Sequence, residues 1–148
     1  KIKVSIIGIG NAASAIAENF KTQNNNYKVY QLASNQKNTK YTRKLKSFES
    51  PEDYEQNIPD LSKFFENVTE DVQVFIVGSS YSSNYALGIL EQLKHKNIEI
   101  FYVKPDTDLL TGIPKLLENM MFGVLQEYAR SGLFKSLTIL SNFFQDRN

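Results

Sequence analysis

Two short segments of this chain combine glycine with groups that can bind an anion. The first is Gly8-Ile9-Gly10-Asn11-Ala12-Ala13, which follows an apolar run and precedes a helical pattern. Glycine lets a ligand approach the backbone closely, and the first turn of a helix has unpaired N–H groups that favour negative charge. We therefore predict a phosphate site here, with a plain tight turn as the alternative. Its residues are Gly8, Gly10, Asn11 and Ala12.

The second segment, residues 78–84, follows a later apolar run and contains four serines. Serine hydroxyls and the helix start that follows can bond phosphate oxygens through side chain and backbone together. Helix capping by solvated serines is the alternative interpretation. A P-loop is excluded, because no lysine stands in a Gly-x-x-x-x-Gly-Lys-Ser/Thr arrangement. The residues assigned to the site are Gly78, Ser79, Ser80, Ser82 and Ser83.

Composition excludes several other kinds of chemistry. The 148 residues include no cysteine and one histidine, His95, so disulfides, thiolate metal sites and multi-histidine centres are excluded. The formal net charge of +1 lacks the strong positive field of a nucleic-acid binder, and we interpret the basic residues 37–46 as a solvated loop. No apolar run approaches the ~20 residues of a membrane span. We expect a cytoplasmic protein without a nucleic-acid partner.

Strands that alternate with helices must position the two glycine segments. Asn11 is the expected N-cap of the first helix, Ser50-Pro51 begins another, and Gly132 ends a long apolar-striped one. This order predicts one α/β domain over residues 1–148, an open three-layer sandwich with a mainly parallel Rossmann-like sheet of about five strands. Ligands of such sheets bind at the carboxyl ends of the strands, where both segments fall. The predicted strands are 4–8, 27–32, 72–78, 98–103 and 137–140.

The first segment resembles the dinucleotide fingerprint Gly-x-Gly-x-x-Gly/Ala, with Ala13 in the last position. This resemblance implies an NAD(P)-dependent oxidoreductase domain. The second strand ends Leu32-Ala33-Ser34-Asn35, without the acid that holds the ribose of NAD. The missing acid makes NAD less favoured and leaves NADP open within this alternative, with the basic residues beyond offering charge for a 2′-phosphate.

Over nearly the whole chain, the order of elements is similar to the nucleotide-binding half of FtsZ and tubulin-like GTPases. Gly10-Asn11-Ala12 resembles the first glycine loop of that family. Lys104-Pro105 is similar to its Thr-Lys-Pro strand end, and Ser141-Asn142 to its Ile-Pro-Asn. Residues 78–84 stand where the family has a glycine-rich loop with threonines, and they keep the hydroxyls but lose most glycines.

The FtsZ and tubulin resemblance implies a guanine-nucleotide-binding domain of a filament-forming, cytoskeletal protein that self-associates head to tail. GTP or GDP would be the ligand, with Lys104 and Asn142 towards ribose and base. The acidic loop that hydrolyses GTP in that family would lie past residue 148, so we expect a fragment of a longer protein that does not itself carry this catalysis. A third hypothesis is an assembly module of the same fold that binds no nucleotide.

Overall fold

The computed structural model describes residues 4–22, 26–78, 84–104 and 112–141. Within them six strands form one sheet in the order β3-β2-β1-β4-β5-β6, and all pairings are parallel. The strands are β1 (Val4–Ile9), β2 (Tyr27–Ala33), β3 (Thr42–Lys44), β4 (Asp71–Val77), β5 (Asn97–Lys104) and β6 (Ser136–Ser141). The predicted Rossmann-like α/β fold is confirmed, with one strand more than expected.

The additional strand, β3, lies within residues that we interpreted as a loop, so that interpretation was wrong for Thr42–Lys44. The segment has no apolar periodicity, and the neighbouring strand imposes its extended conformation. Pairing with β2 continues just beyond the strand, where the Leu45 N–H donates to the Ala33 carbonyl at 3.0 Å.

The outer edge of β3 is bonded by the residues that precede it. The Thr39 N–H donates to the carbonyl of Thr42 at 2.9 Å, and the Thr42 N–H donates back to Thr39 Oγ1 at 3.1 Å. The Lys44 N–H donates to Asn38 Oδ1 at 2.9 Å. These polar side chains therefore take the outward amides that an edge strand normally leaves unpaired.

Four α-helices connect the strands in the described residues: α1 (Asn11–Glu18), α2 (Pro51–Gln56), α3 (Asn84–Glu91) and α4 (Gly112–Arg130). As expected, Ser50 caps α2, because its Oγ accepts from the Asp53 N–H at 3.2 Å. Gly132 ends α4 with φ 85°, and the Leu133 N–H donates to the Tyr128 carbonyl at 3.1 Å. This is a Schellman arrangement, which requires a left-handed residue. None of the described helices is long and apolar enough to cross a membrane.

The two faces of the sheet carry different amounts of apolar packing. We call the face under α1 the α1 face, where α1 packs over β1, β2 and β4 and a small cluster joins Ile6, Ala17 and Val29. The opposite, helix-rich face holds the main core, to which α2, α3 and α4 contribute Tyr54, Leu90 and Leu125. Both layers are needed to position the carboxyl end of β1, which lies between them.

Candidate functional site

A cleft of about 380 Å³ opens at the carboxyl end of β1. It is lined by residues 9–13, Ser34, residues 45–47, Tyr54 and Val77, and we call it the rim cleft. Its walls therefore come from the junction of β1 with α1, from the ends of β2 and β4, from the segment after β3, and from α2. This is the edge at which open α/β sheets bind their ligands.

The N-terminus of α1 opens on the rim cleft without a side-chain cap. The expectation that Asn11 is the N-cap was wrong, because Gly10 holds that position and Asn11 is the first helical residue. Gly10 has φ 101° and ψ 166°, a conformation that only glycine adopts readily. By helix geometry, the amides of Asn11, Ala12 and Ala13 have no intrahelical partner, so they are donors for an anion.

The side chain of Asn11 has a different role from capping. Its Oδ1 accepts from the Ser34 N–H at 3.0 Å and from Ser34 Oγ at 3.2 Å. The Gly10 N–H donates to the Leu32 carbonyl at 2.7 Å. These bonds tie the start of α1 to the end of β2, so the glycine turn is held in place before any ligand arrives.

Gly8 lies inside β1 and does not line the rim cleft. A Cβ at Gly8 would lie 2.5 Å from the backbone oxygen of Ala13, which is too close for any substitution without a shift of α1. The Ser14 hydroxyl shares its hydrogen between two carbonyl oxygens, that of Gly8 at 3.2 Å and that of Leu32 at 3.1 Å. In the described structure Gly8 therefore permits close packing of α1 on β1, and a contact with phosphate stays a prediction.

Tyr54, which lines the rim cleft, belongs to a cluster of aromatic rings. Tyr54 and Tyr85 meet edge to face with centroids 4.8 Å apart, and Phe48 packs on Tyr54 at 5.2 Å. The Tyr85 hydroxyl donates to the Lys46 carbonyl at 2.7 Å, which fixes the segment after β3. Burial and the neighbouring Tyr54 raise the pKa of Tyr85 to about 12, so this hydroxyl remains a donor at neutral pH.

Lys46 brings positive charge to the mouth of the rim cleft. Its side chain is exposed, and the ion pairs in the described residues, Lys21–Glu18 and Arg130–Glu127, do not involve it. Among the described residues that line the cleft, none is an aspartate or a glutamate. Backbone amides, one lysine and several hydroxyls therefore give the site the character of an anion-binding cleft.

The structure does not bring Gly78 and Lys104 into the lining of the rim cleft. Gly78 is buried, and its N–H donates to the Val103 carbonyl at 3.0 Å within the sheet. Lys104 is half-buried, with its Nζ 5.2 Å from the centroid of the Phe122 ring. The other predicted site residues, Ser79, Ser80, Ser82, Ser83 and Asn142, lie outside the described residues.

Several lining residues were not predicted from the sequence. Ser34 directly follows β2, so its place at the rim could have been inferred from the predicted strand order. Tyr54 gave no such signal, because its place in the lining depends on its packing in an aromatic cluster with Tyr85, a residue distant in sequence. Lys46 was noted only as one member of a basic stretch.

Comparisons with known proteins show likeness of fold. No protein-family model and no curated protein matches the chain. Among solved structures, the chain is similar to a protofilament of TubZ from bacteriophage PhiKZ, with 14% identity, a TM-score of 0.60, and coverage of 96% of this chain and 50% of that one.

Two dehydrogenases also share the fold. One is a short chain dehydrogenase family protein from Francisella tularensis subsp. tularensis SCHU S4, with 11% identity, a TM-score of 0.50, and coverage of 88% of this chain and 62% of that one. The other is a C-terminal deletion mutant of Thermoplasma acidophilum aldohexose dehydrogenase, with 15% identity, a TM-score of 0.50, and coverage of 95% of this chain and 67% of that one.

The strand order, the parallel pairing and these likenesses together define the class of protein as α/β with a Rossmann-like fold. The chain spans half the length of the TubZ chain and 62% of the short chain dehydrogenase. At these identities the likeness establishes the fold that a filament protein and two dehydrogenases share.

Proposed function

We propose that this chain is a nucleotide-binding domain that takes GTP or GDP in the rim cleft and belongs to a filament-forming protein similar to FtsZ and tubulin. One observation carries the proposal: the uncapped N-terminus of α1, entered through Gly10, opens on a cleft of about 380 Å³ at the strand ends.

The rim cleft offers the groups that bind phosphates. Backbone amides at a helix start favour negative charge because of both their unpaired hydrogens and the helix dipole. Lys46 adds a cation, and the described lining residues include no carboxylate that would oppose it. The volume falls within the range of about 300–1,000 Å³ that is typical of small-molecule sites.

In this proposal the nucleotide extends from α1 towards β5. Adjacent strands lie about 4.8 Å apart, and β5 is two positions from β1, so the distance across is about 10 Å. A nucleotide with its phosphates at Asn11–Ala13 could therefore reach Lys104. This agrees with the placement that the FtsZ and tubulin resemblance implies for ribose and base.

Two lines of support favour a filament protein. The sequence resembles FtsZ and tubulin-like GTPases over most of its length, and the TM-score of 0.60 with the TubZ protofilament exceeds the 0.50 with each dehydrogenase. We propose head-to-tail self-association in the cytoplasm. We propose nucleotide binding for these residues.

An NADP-dependent oxidoreductase domain is the second candidate, and the position of the rim cleft favours it. The cleft extends towards β2 and β3, where Ser34 and Lys46 stand at the strand ends and none of the described lining residues is acidic. That is the side on which a dinucleotide fold holds its ribose, and a serine with a lysine suits a 2′-phosphate.

Calorimetric titration with GTP, GDP, NADH and NADPH tests the proposal, and Ala12→Asp is the decisive variant. Ala12 is exposed and lines the rim cleft, so a carboxylate there repels phosphate and weakens nucleotide binding by at least about tenfold. The fold survives, because an acid in the first turn stabilises a helix by about 0.3–1 kcal/mol. Ala15→Asp is the matched control, with the same charge on an exposed residue of α1 outside the cleft.

The outcomes separate the three hypotheses. Binding of GTP or GDP that Ala12→Asp weakens and Ala15→Asp preserves supports the guanine-nucleotide proposal. Binding of NADPH without any affinity for guanine nucleotides overturns it in favour of the oxidoreductase domain. Assembly that proceeds without any nucleotide, together with no binding in the four titrations, identifies the nucleotide-free module.

A further inference from the structure

A second cavity, of about 190 Å³, lies beside β3 and shares no residue with the rim cleft. We call it the basic pocket. Its lining includes Tyr30 of β2, Thr39, Lys40 and Arg43 around β3, and Lys63 and Phe64 from the segment that precedes β4. It brings together part of the basic stretch that we interpreted as a solvated loop and a lysine from more distant sequence.

The charges in the basic pocket are unbalanced. Lys40, Arg43 and Lys63 face a single acidic lining residue, Glu66. The ion pairs in the described parts of the chain, Lys21–Glu18 and Arg130–Glu127, involve none of these four side chains. The cavity therefore has an excess of positive charge that the described protein groups do not neutralise at ion-pair distance.

Arg43 is held by an aromatic ring instead of by a carboxylate. Its guanidinium carbon lies 5.0 Å from the centroid of the Phe64 ring, and its Nε is buried with no hydrogen-bond partner. A buried, unpaired donor on a charged group is costly, and a nearby anion lowers that electrostatic cost. Because Nε itself is sealed from solvent, a ligand would reach the guanidinium through its other nitrogens.

The remaining walls do not oppose an anion. Tyr30 is buried beside Phe64, with ring centroids 5.4 Å apart. Burial and the neighbouring Tyr41 raise the pKa of Tyr30 to about 12, so the phenol is neutral at physiological pH. Lys63 is exposed and takes part in neither ion pair of the described residues, so its ammonium group is available to a ligand.

We propose that the basic pocket binds a phosphate group, either free phosphate or a small phosphate monoester. The volume is below the range of about 300–1,000 Å³ that is typical of drug-sized ligands, and it suits a group the size of an ion. Two lysines supply point charges and one arginine a planar donor, the combination that recognises phosphate. This site is independent of nucleotide binding at the rim cleft.

Amide NMR shifts during titration with inorganic phosphate, at constant ionic strength, test the proposal on the whole chain. We expect saturable shifts at residues 39–43 and 63–67. Lys63→Gln should weaken binding about threefold to tenfold, because it removes one exposed charge at the site. Lys44→Gln is the matched control, since Lys44 is exposed on β3 and lines neither cavity. Arg43→Gln should abolish binding, but it also alters packing on Phe64.

Two further probes identify the source of the phosphate group. Ribose 5-phosphate, a monoester, should compete with inorganic phosphate at the same amides. The proposal is overturned if acetate produces equal shifts, if the phosphate shifts fall only at residues 10–13, or if Lys44→Gln weakens binding as much as Lys63→Gln. It is also overturned if a thymidine oligonucleotide occupies the pocket and phosphate cannot displace it, because the ligand would then be a nucleic acid.

Discussion

The strands β1 and β5 differ in burial because they are covered by different numbers of layers. In β1 every residue from Ser5 to Ile9 is buried, since α1 covers one face and the main core covers the other. In β5 burial alternates, with Ile98 and Ile100 buried and Glu99 half-buried between them. β5 lies beyond the strands on which α1 packs. A continuous buried run therefore identifies a strand between two layers, and alternation identifies one that is covered on a single face.

The two faces of the sheet also differ in the interactions that hold their helices in place. The helix-rich face is held by a large apolar cluster, whereas the α1 face combines a small apolar cluster with polar bonds. The buried Gln31 donates from Nε2 to the Ser14 carbonyl and to Glu18 Oε1, both at 2.9 Å. Substitutions on the helix-rich face should therefore cost more stability than those on the α1 face.

The largest difference is expected between neighbouring residues of β5. Ile100→Ala removes a fully buried side chain from the main core and should lower the free energy of unfolding by about 2–5 kcal/mol. Phe101→Ala removes a larger but half-buried side chain from the opposite face, and should cost no more than about 2 kcal/mol. Urea denaturation of both variants measures the difference. A greater loss for Phe101→Ala would show that the α1 face is packed as fully as the other.

A smaller effect is expected where α1 meets β1. Gly8→Ala places a Cβ against the backbone of Ala13 and should destabilise the protein by about 1–3 kcal/mol. Gly123→Ala is the matched control, because a Cβ there meets nothing within 4 Å and alanine favours a helix by about 1 kcal/mol. Thermal unfolding should move in opposite directions for the two variants. If both were stabilising, the close packing of α1 on β1 would be disproved.

The smallest effect concerns the pH dependence of the polar bonds on the α1 face. Hydrogen bonds from Gln31 and then Lys21 lower the pKa of Glu18 below its ordinary 4.5. A lowered folded-state pKa means that the ionised carboxylate favours folding above about pH 4.5, and that this contribution is lost as the pH falls through the folded value. Because Glu18 is exposed, Glu18→Gln should cost less than about 0.5 kcal/mol at pH 7.

At a pH below the lowered folded-state pKa, the Glu18 carboxyl is protonated in both the folded and the unfolded chain, so Glu18→Gln should leave the stability unchanged there. Urea denaturation at the two pH values provides the comparison, with the wild-type chain measured beside the variant. An equal loss at both pH values would assign the effect to packing instead of to charge.

Much of the fold could be predicted from the sequence, because local signals and tertiary packing agree. The apolar runs of β1 and β4, the cap at Ser50 and the stop at Gly132 each have a local physical cause. The strand β3 could not be predicted this way, since Thr42–Lys44 are polar and only their pairing with β2 makes them a strand.

The candidate site was predictable in part. Residues 9–13 do line the rim cleft, as the first glycine segment predicted. The capping preference of asparagine, however, placed the N-cap of α1 at Asn11, one residue after its observed position at Gly10. Asparagine is a good N-cap in general. Here its side chain instead bonds Ser34, a partner that becomes adjacent only when β2 pairs with β1. The packing of Tyr54 on Tyr85 beside the cleft likewise requires contact between distant segments.

The bonds along the outer edge of β3 also affect how copies of this chain can meet. A strand from another molecule could extend the sheet on that side only after displacing Thr39 and Asn38 from the amides of Thr42 and Lys44. This protects the edge against the backbone-mediated stacking that produces cross-β aggregates. On that flank, copies of the chain in the proposed filament would meet through side chains and not through shared backbone hydrogen bonds, and each sheet would remain separate.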